Sequence, residues 1–274
     1  MKASELRLLL DELGTTAKKG LSQNFLIDGN ILRKIVKTAS IQPGDRVLEI
    51  GAGPGALTQC LLEAGASVTA VEIDPIFAKA LGRLQTEPPR LHIIAQDILK
   101  VSLDPLLSSH PWKVVANLPY HITTPILTKL LPLYPHIQSI TAMVQKEVAL
   151  RLVAAPQTPA YGSLSLFARF YSTPHHSFTV APTCFYPQPK VDSSIVHFTL
   201  KEPPQNISQE DFFELTRTAF QQRRKMLRVS LKSLSTPQAV EAALTAIGIS
   251  PLARPEELSL EQFLQFYQLI KKIS

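Results

Sequence analysis

The sequence predicts an α/β fold, with a mainly parallel sheet of βαβ units in residues 1–204 and a small helical domain in residues 205–274. Three observations carry this. From about Gly44, short runs rich in Val and Ile alternate with helix-like segments, the pattern of strand–crossover–strand units with right-handed connections. A turn with three glycines separates the first such run from the first of these helical patterns. After "KEPPQN" (Lys201–Asn206), whose two prolines make a linker, only helical patterns follow.

At the N-terminus, "LRLLLDEL" is too short for a secretory signal and is broken by Arg7, Asp11 and Glu12. No uninterrupted apolar stretch approaches the roughly 20 residues that span a bilayer, so a cytoplasmic protein without a membrane partner is expected. "DRVLEI" (Asp45–Ile50) is the first strand, followed by the glycine turn and a helix from Ala56 to Ala64. "ASVTAVEI" (Ala66–Ile73) leads into a helix after Pro75. "RLHIIAQ" (Arg90–Gln96), "WKVVAN" (Trp112–Asn117) and "SITAMVQ" (Ser139–Gln145) are further strands. "SLSLFARFYS" and "SSIVHFTL" are expected to complete the sheet with antiparallel strands. In the tail, Ser208 precedes a helix, "PQAVEAALTAIGI" is another, and Ser259 with Gln262 forms a capping box for a third.

The 274 residues are 45% hydrophobic and 18% charged, a globular composition. Lys and Arg number 28 against 22 Asp and Glu; the resulting formal charge of +6 favours an anionic partner. Only Cys60 and Cys184 occur, apart in sequence and in no Cys/His cluster. Neither a disulfide framework nor a zinc finger is therefore expected, no metal is expected, and a reducing compartment fits.

"LEIGAGPGALT" (Leu48–Thr58) places Gly51, Gly53 and Gly55 between strand and helix, where glycine lets the backbone approach a ligand. The segment also fits G-x-G-x-x-A, so a dinucleotide remains a competitor. Glu72 ends the next strand 21 residues after Gly51, where a carboxylate can accept from ribose hydroxyls. Both NAD and S-adenosylmethionine contain adenosine. Here Glu49 precedes the turn, Glu72 ends the second strand and Asp97 ends the third. Three carboxylates at successive strand ends make a poor pyrophosphate cradle and a good site for a cation, which favours S-adenosylmethionine.

"NLPY" (Asn117–Tyr120) closes another strand, on the same rim as Gly51, Glu72 and Asp97. An exocyclic adenine amine is a poor nucleophile, because its lone pair is delocalised into the ring. The Asn117 side-chain oxygen and a backbone carbonyl near Leu118 would hold its two hydrogens and favour a pyramidal nitrogen. Pro119 would fix the carbonyl's direction, and Tyr120 would stack on the base. Positioning and placed dipoles would do the catalysis, with no strong base.

With "LSQNFLID" (Leu21–Asp28), "VEID", "AQDIL", "NLPYHITTP", "LVAAPQTPAYGSLS", "FYPQPKVDSSIVHF" and "AFQQRRKMLRVSL", the chain closely resembles the ribosomal RNA adenine N6,N6-dimethyltransferases of the KsgA type over nearly its whole length. That resemblance implies a Rossmann-like S-adenosylmethionine-dependent methyltransferase fold. It implies transfer of four methyl groups, two to each of two adjacent adenosines near the 3′ end of small-subunit (16S) ribosomal RNA, within an immature small ribosomal subunit. It also implies a part in subunit biogenesis. Carried over, the cofactor residues are Asn24, Leu26, Gly51, Glu72, Asp97 and Asn117. Asn117, Leu118 and Tyr120 hold the target amine, with Phe185 a second stacking ring. His121 departs from the Asn more often found after the Tyr. Large-subunit enzymes that confer macrolide resistance share the cofactor motifs but tend to carry Ile in Asn-x-Pro-Tyr; Leu118 and "QQRRKMLR" lean away from them. An assembly factor acting mainly by binding RNA is the other alternative.

The window Arg217–Lys232 holds six basic residues and no acidic one, equal to the chain's whole formal excess. Arg223, Arg224, Lys225 and Arg228 are expected on about one and a half helical turns, as a contact for RNA phosphates. Lys18 and Lys19 would add a second contact. Nothing in the sequence indicates a repeated interface, and a monomer is expected.

Overall fold

The structure is a computed structural model that describes residues 3–21, 23–107 and 111–273. Among these residues the strands are β1 (Phe25–Leu26), β2 (Arg46–Ile50), β3 (Ser67–Glu72), β4 (Leu91–Ala95), β5 (Trp112–Asn117), β6 (Ile137–Gln145), β7 (Ser172–Val180), β8 (Phe185–Tyr186) and β9 (Ser193–Leu200). Seven of them form one sheet in the order β4-β3-β2-β5-β6-β9-β7, and β1 pairs with β8 in a small second sheet. The pairs from β4 through β6 are parallel, and β9 runs antiparallel to β6.

β2 and β5 read as near-continuous apolar runs because helices cover both faces of a parallel sheet. Val47, Leu48, Val114 and Val115 are at most 1% exposed. The chain travels outward from β2 to β4, then returns to place β5 on the other side of β2. The order therefore reverses between β2 and β5, where an open α/β sheet leaves a crevice at its strand ends. Ile50 pairs with Ala116, so Gly51 and Asn117 leave the sheet side by side.

The chain divides into two compact units, residues 1–149 with 173–202, and residues 150–172 with 203–274. The first holds both sheets. Its N-terminal helix, Ala3–Glu12, was not anticipated; Leu6 and Leu10 pack with Phe25 and Phe77, whose rings meet edge to face at 5.2 Å. The second unit is helical and closes around Phe170, Phe212, Phe213, Phe263 and Phe266. Its caps follow the sequence: Ser208 accepts from Asp211 N, and Ser259 and Gln262 bond reciprocally.

Two expectations need correction here. "SLSLFARFYS" is mainly helix, Ser163–Tyr171, not a sheet strand. Its alternating Ser and Leu mimic a period of two, but Leu166 and Phe170 also stand four apart, and burial against Phe212 and Phe213 selects the helix. For the same reason the single boundary expected at 204/205 becomes two crossings. Residues 150–172 join the helical unit, while 173–202 return to the sheet.

Candidate methyl-transfer site

A cleft opens at the strand ends beside the switch point. Its wall comes from Leu21, Gln23 to Leu26, Leu32 and Ile35, the glycine turn after β2, the end of β3, and Asn117 through Tyr120 at the end of β5. Two glycines of the turn are structurally required. Gly51 has φ +73°, and a Cβ there would stand 3.3 Å from the Asn117 carbonyl oxygen. Gly55 has φ +85°, with Leu81 and Leu84 within 2.8 Å of where a Cβ would be.

The acids divide in an informative way. Glu72 is buried, and its two oxygens accept from Gly53 N at 2.7 Å and Asp74 N at 2.8 Å. It thus holds the glycine turn against β3, and its remaining lone pairs are available to hydroxyls. Burial raises its pKa, against the pull of those two backbone bonds. Glu49 is 1% exposed, and neither oxygen has a hydrogen-bond partner among the described residues. Burial pushes its pKa up to about 8; Thr58 lies close enough to pull it back in part, yet its hydroxyl makes no bond of hydrogen-bond geometry. Asp74 caps the helix Pro75–Ala80 and receives Lys18 at 2.8 Å and Gln23 at 3.2 Å. Burial opposes its ionisation, but those partners outweigh it and hold the carboxyl below its usual range. The residues leading into the cleft wall are fastened this way.

Four hydrogen bonds, one at each residue, hold the tetrapeptide. The Asn117 side-chain amide donates to the Asn24 carbonyl at 3.2 Å, leaving its oxygen as the acceptor. Leu118 N donates to Met143 O at 3.1 Å, and the Thr123 hydroxyl donates to Pro119 O at 3.2 Å. The Tyr120 hydroxyl meets Ser193 Oγ at 2.6 Å, and burial raises the phenol's pKa despite that bond.

Of the residues expected from sequence, Asn24, Leu26, Gly51, Glu72, Asn117, Leu118 and Tyr120 line the cleft together. Asp97 lines a smaller adjoining pocket, which shares Gly51, Ile73 and Pro119 with the cleft. Phe185 is not brought there. It pairs with Leu26 across β1 and β8 and is 1% exposed in the core, so it has no face free for a base. Ile73, half-exposed and lining both cavities, was missed because a β-branched residue after a strand-end acid looks like ordinary strand. Glu49 was counted only for its charge; sequence cannot show that it is dry and unpartnered.

The basic run also differs from expectation. The helix Gln209–Gln221 stops before it, Arg223–Lys225 lie in a turn, and Leu227–Ser230 is a separate short helix. Arg223 donates to Pro159 O at 2.9 Å and lies 3.7 Å from Glu256, while Arg228 pairs with Glu241 at 2.5 Å. Arg217, Arg224, Lys225 and Lys232 are exposed, and among the described residues Arg224 and Lys225 form no ion pair. Lys18 is committed to Asp74; the side chain of Lys19 lies outside the described residues.

A cleft with two buried acids and, among the described residues, no Lys, Arg or His in its lining fits a cationic, adenosine-bearing methyl donor and not a pyrophosphate. No group of acidic, His or Cys side chains among the described residues could hold a metal ion. Comparison with known proteins agrees with this chemistry. The family model described as ribosomal RNA adenine dimethylase matches residues 14–272. A ribosomal RNA small subunit methyltransferase A from Protochlamydia amoebophila is 55% identical over 271 residues, 97% of this chain and 95% of that protein. One from Chlamydia muridarum is 46% identical, with 97% of each covered. Among solved structures, a dimethyladenosine transferase from Plasmodium falciparum superposes with a TM-score of 0.75 at 26% identity, covering 90% of this chain and 98% of that one. The 23S rRNA methyltransferase ErmE gives 0.71 at 27%, covering 90% and 100%. From its glycine turn, its acid-walled cleft and these matches, the chain belongs to the ribosomal RNA adenine dimethylase family, methyltransferases that use S-adenosylmethionine.

Proposed function

We propose that this protein dimethylates the N6 amines of two adjacent adenosines near the 3′ end of small-subunit ribosomal RNA, acting as a cytoplasmic monomer on an immature small subunit. The observation that carries the reading is the acid-lined, base-free cleft whose rim is Asn117-Leu118-Pro119-Tyr120. Glu72 and Asp97 would hold the adenosine of the methyl donor, and the arrival of its positive charge would favour the ionised forms of Glu49 and Glu72, whose carboxyls burial otherwise keeps protonated. S-adenosylmethionine, when bound, supplies an electrophilic methyl group. The Asn117 oxygen and the Leu118 carbonyl would accept the two amine hydrogens, and the Tyr120 ring would carry the base. The contribution is alignment and placed dipoles. The small-subunit target is favoured over the large-subunit one by 55% identity to a protein named for the small subunit, against 27% to the 23S enzyme. No helix among the described residues is long and apolar enough to cross a membrane.

The residues 150–172 and 203–274 would form an RNA-binding domain through Arg217, Arg224, Lys225 and Lys232, with Arg223 and Arg228 holding the turn in shape. Incubation with small subunits from cells lacking the modification and labelled S-adenosylmethionine should yield N6,N6-dimethyladenosine at two adjacent positions. A folded, cofactor-binding preparation that leaves those adenosines unmodified would refute the assignment. An Asn117→Ala variant that still binds and matures subunits would separate an assembly role from catalysis.

A further inference from the structure

Tyr120 follows Pro119 on the cleft wall, and its hydroxyl has one hydrogen-bond partner among the described residues: Ser193, 73 positions later in the chain. At 2.6 Å this is a short O–H···O bond. Ser193 is 0% exposed and opens β9, opposite Gln145 of β6. It cannot drift. Asp192 beside it accepts from Lys146 N at 3.0 Å, and its carboxylate pairs with Lys146 Nζ at 3.1 Å. The same strand β6 also receives Leu118 N at Met143. Both ends of the tetrapeptide are therefore referenced to one rigid pair of strands.

The hydrogen of a phenol and the acceptor direction of its conjugated oxygen both favour the ring plane, so whichever of the two hydroxyls donates, the bond directs both the ring's long axis and its plane. A base lying on that ring takes its own plane from it, and with it the line of the amine lone pair.

We propose that Ser193 is a positioning residue for the target base, acting through Tyr120: its hydroxyl sets the tilt of the ring on which the adenine lies. This rests on the methyl-transfer reading above. The antiparallel strand β9 is then part of the active site, although none of its residues lines the cleft.

The test is steady-state methylation of undermethylated small subunits by the full chain and by Ser193→Ala, Ser193→Thr, Tyr120→Phe and the double variant Ser193→Ala/Tyr120→Phe. Methylation by the wild-type chain checks the underlying reading separately; if it fails, that reading fails before Ser193 is at issue. Ser193→Ala and Tyr120→Phe should each lower kcat by about ten- to a hundredfold with KM for S-adenosylmethionine unchanged. The double variant should be no worse than either single one, and Ser193→Thr should recover most of the rate. Wild-type kcat in Ser193→Ala, or losses that multiply in the double variant, would overturn the proposal. If Ser193→Ala does not fold, Tyr120→Phe decides alone: a full kcat overturns the proposal, and a tenfold fall at constant KM supports it.

Discussion

The strand-end rim and the basic turn carry the same kind of residue, ionisable and chemically conspicuous, in opposite environments. At the rim, Glu49 and Glu72 are at most 4% exposed, and backbone geometry decides what they can do. In the turn, Arg224 and Lys225 stand in water, while Arg223 and Arg228 are occupied by neighbours. Buried charge costs much and is held in one place; exposed charge costs little and acts over a screened range. The rim should therefore answer to substitution and pH with large effects, and the turn with small, salt-dependent ones.

The largest effect should come from Glu49. Its pKa stands at about 8 in the folded chain against 4.5 for the free side chain. Between those values the unfolded chain has released a proton that the folded chain keeps. Stability is thus full below about pH 4.5 and falls as pH rises toward 8, by about 5 kcal/mol in total. Urea titrations across that range should show the slope in the wild type and its loss in Glu49→Gln. Equal slopes in the two would mean that the rim is not dry.

Next in size is Phe185→Ala, which should cost about 4 kcal/mol as a core truncation. A stable, inactive Phe185→Ala variant would restore the ring to the base-stacking role that its burial denies. Glu72→Ala leaves two buried backbone N–H groups, those of Gly53 and Asp74, without acceptors. It should lose about 3 kcal/mol by chemical denaturation and show weakened S-adenosylmethionine binding by calorimetry. The basic turn should respond least in stability. Arg224→Glu with Lys225→Glu should leave the melting temperature unchanged and lower the slope of log affinity for RNA against log salt by about two. Arg228→Ala should cost about 0.5 kcal/mol by breaking its pair with Glu241, with a smaller change in salt slope. If all four basic residues shift the salt slope equally, the division between tethered and free ones is wrong.

What could be read from sequence follows what is local. The parallel strands were legible because each is a short Val/Ile run between turn signals, and the tail helices because their capping residues sit at fixed spacing. Glu72 and Asn117 were legible because a strand's last residue in a parallel sheet has its location settled by topology. "SLSLFARFYS" was not, since a run of that length satisfies either period until a packing partner chooses. Phe185 was misread because a motif gives residue type and order, while exposure depends on β1 lying across β8.

By itself, then, the amino-acid order determined the βαβ framework, the glycine turn, the acids and the tetrapeptide, since these depend on near neighbours and strand direction. Tertiary structure alone decided that Glu49 is dry and unpartnered, that Phe185 is core, that two of the four arginine and lysine side chains in the cluster are tethered, and that Ser193 reaches Tyr120. Each of those depends on which distant surface closes over a group, and burial is a property of the assembled surfaces, not of the residue that they enclose.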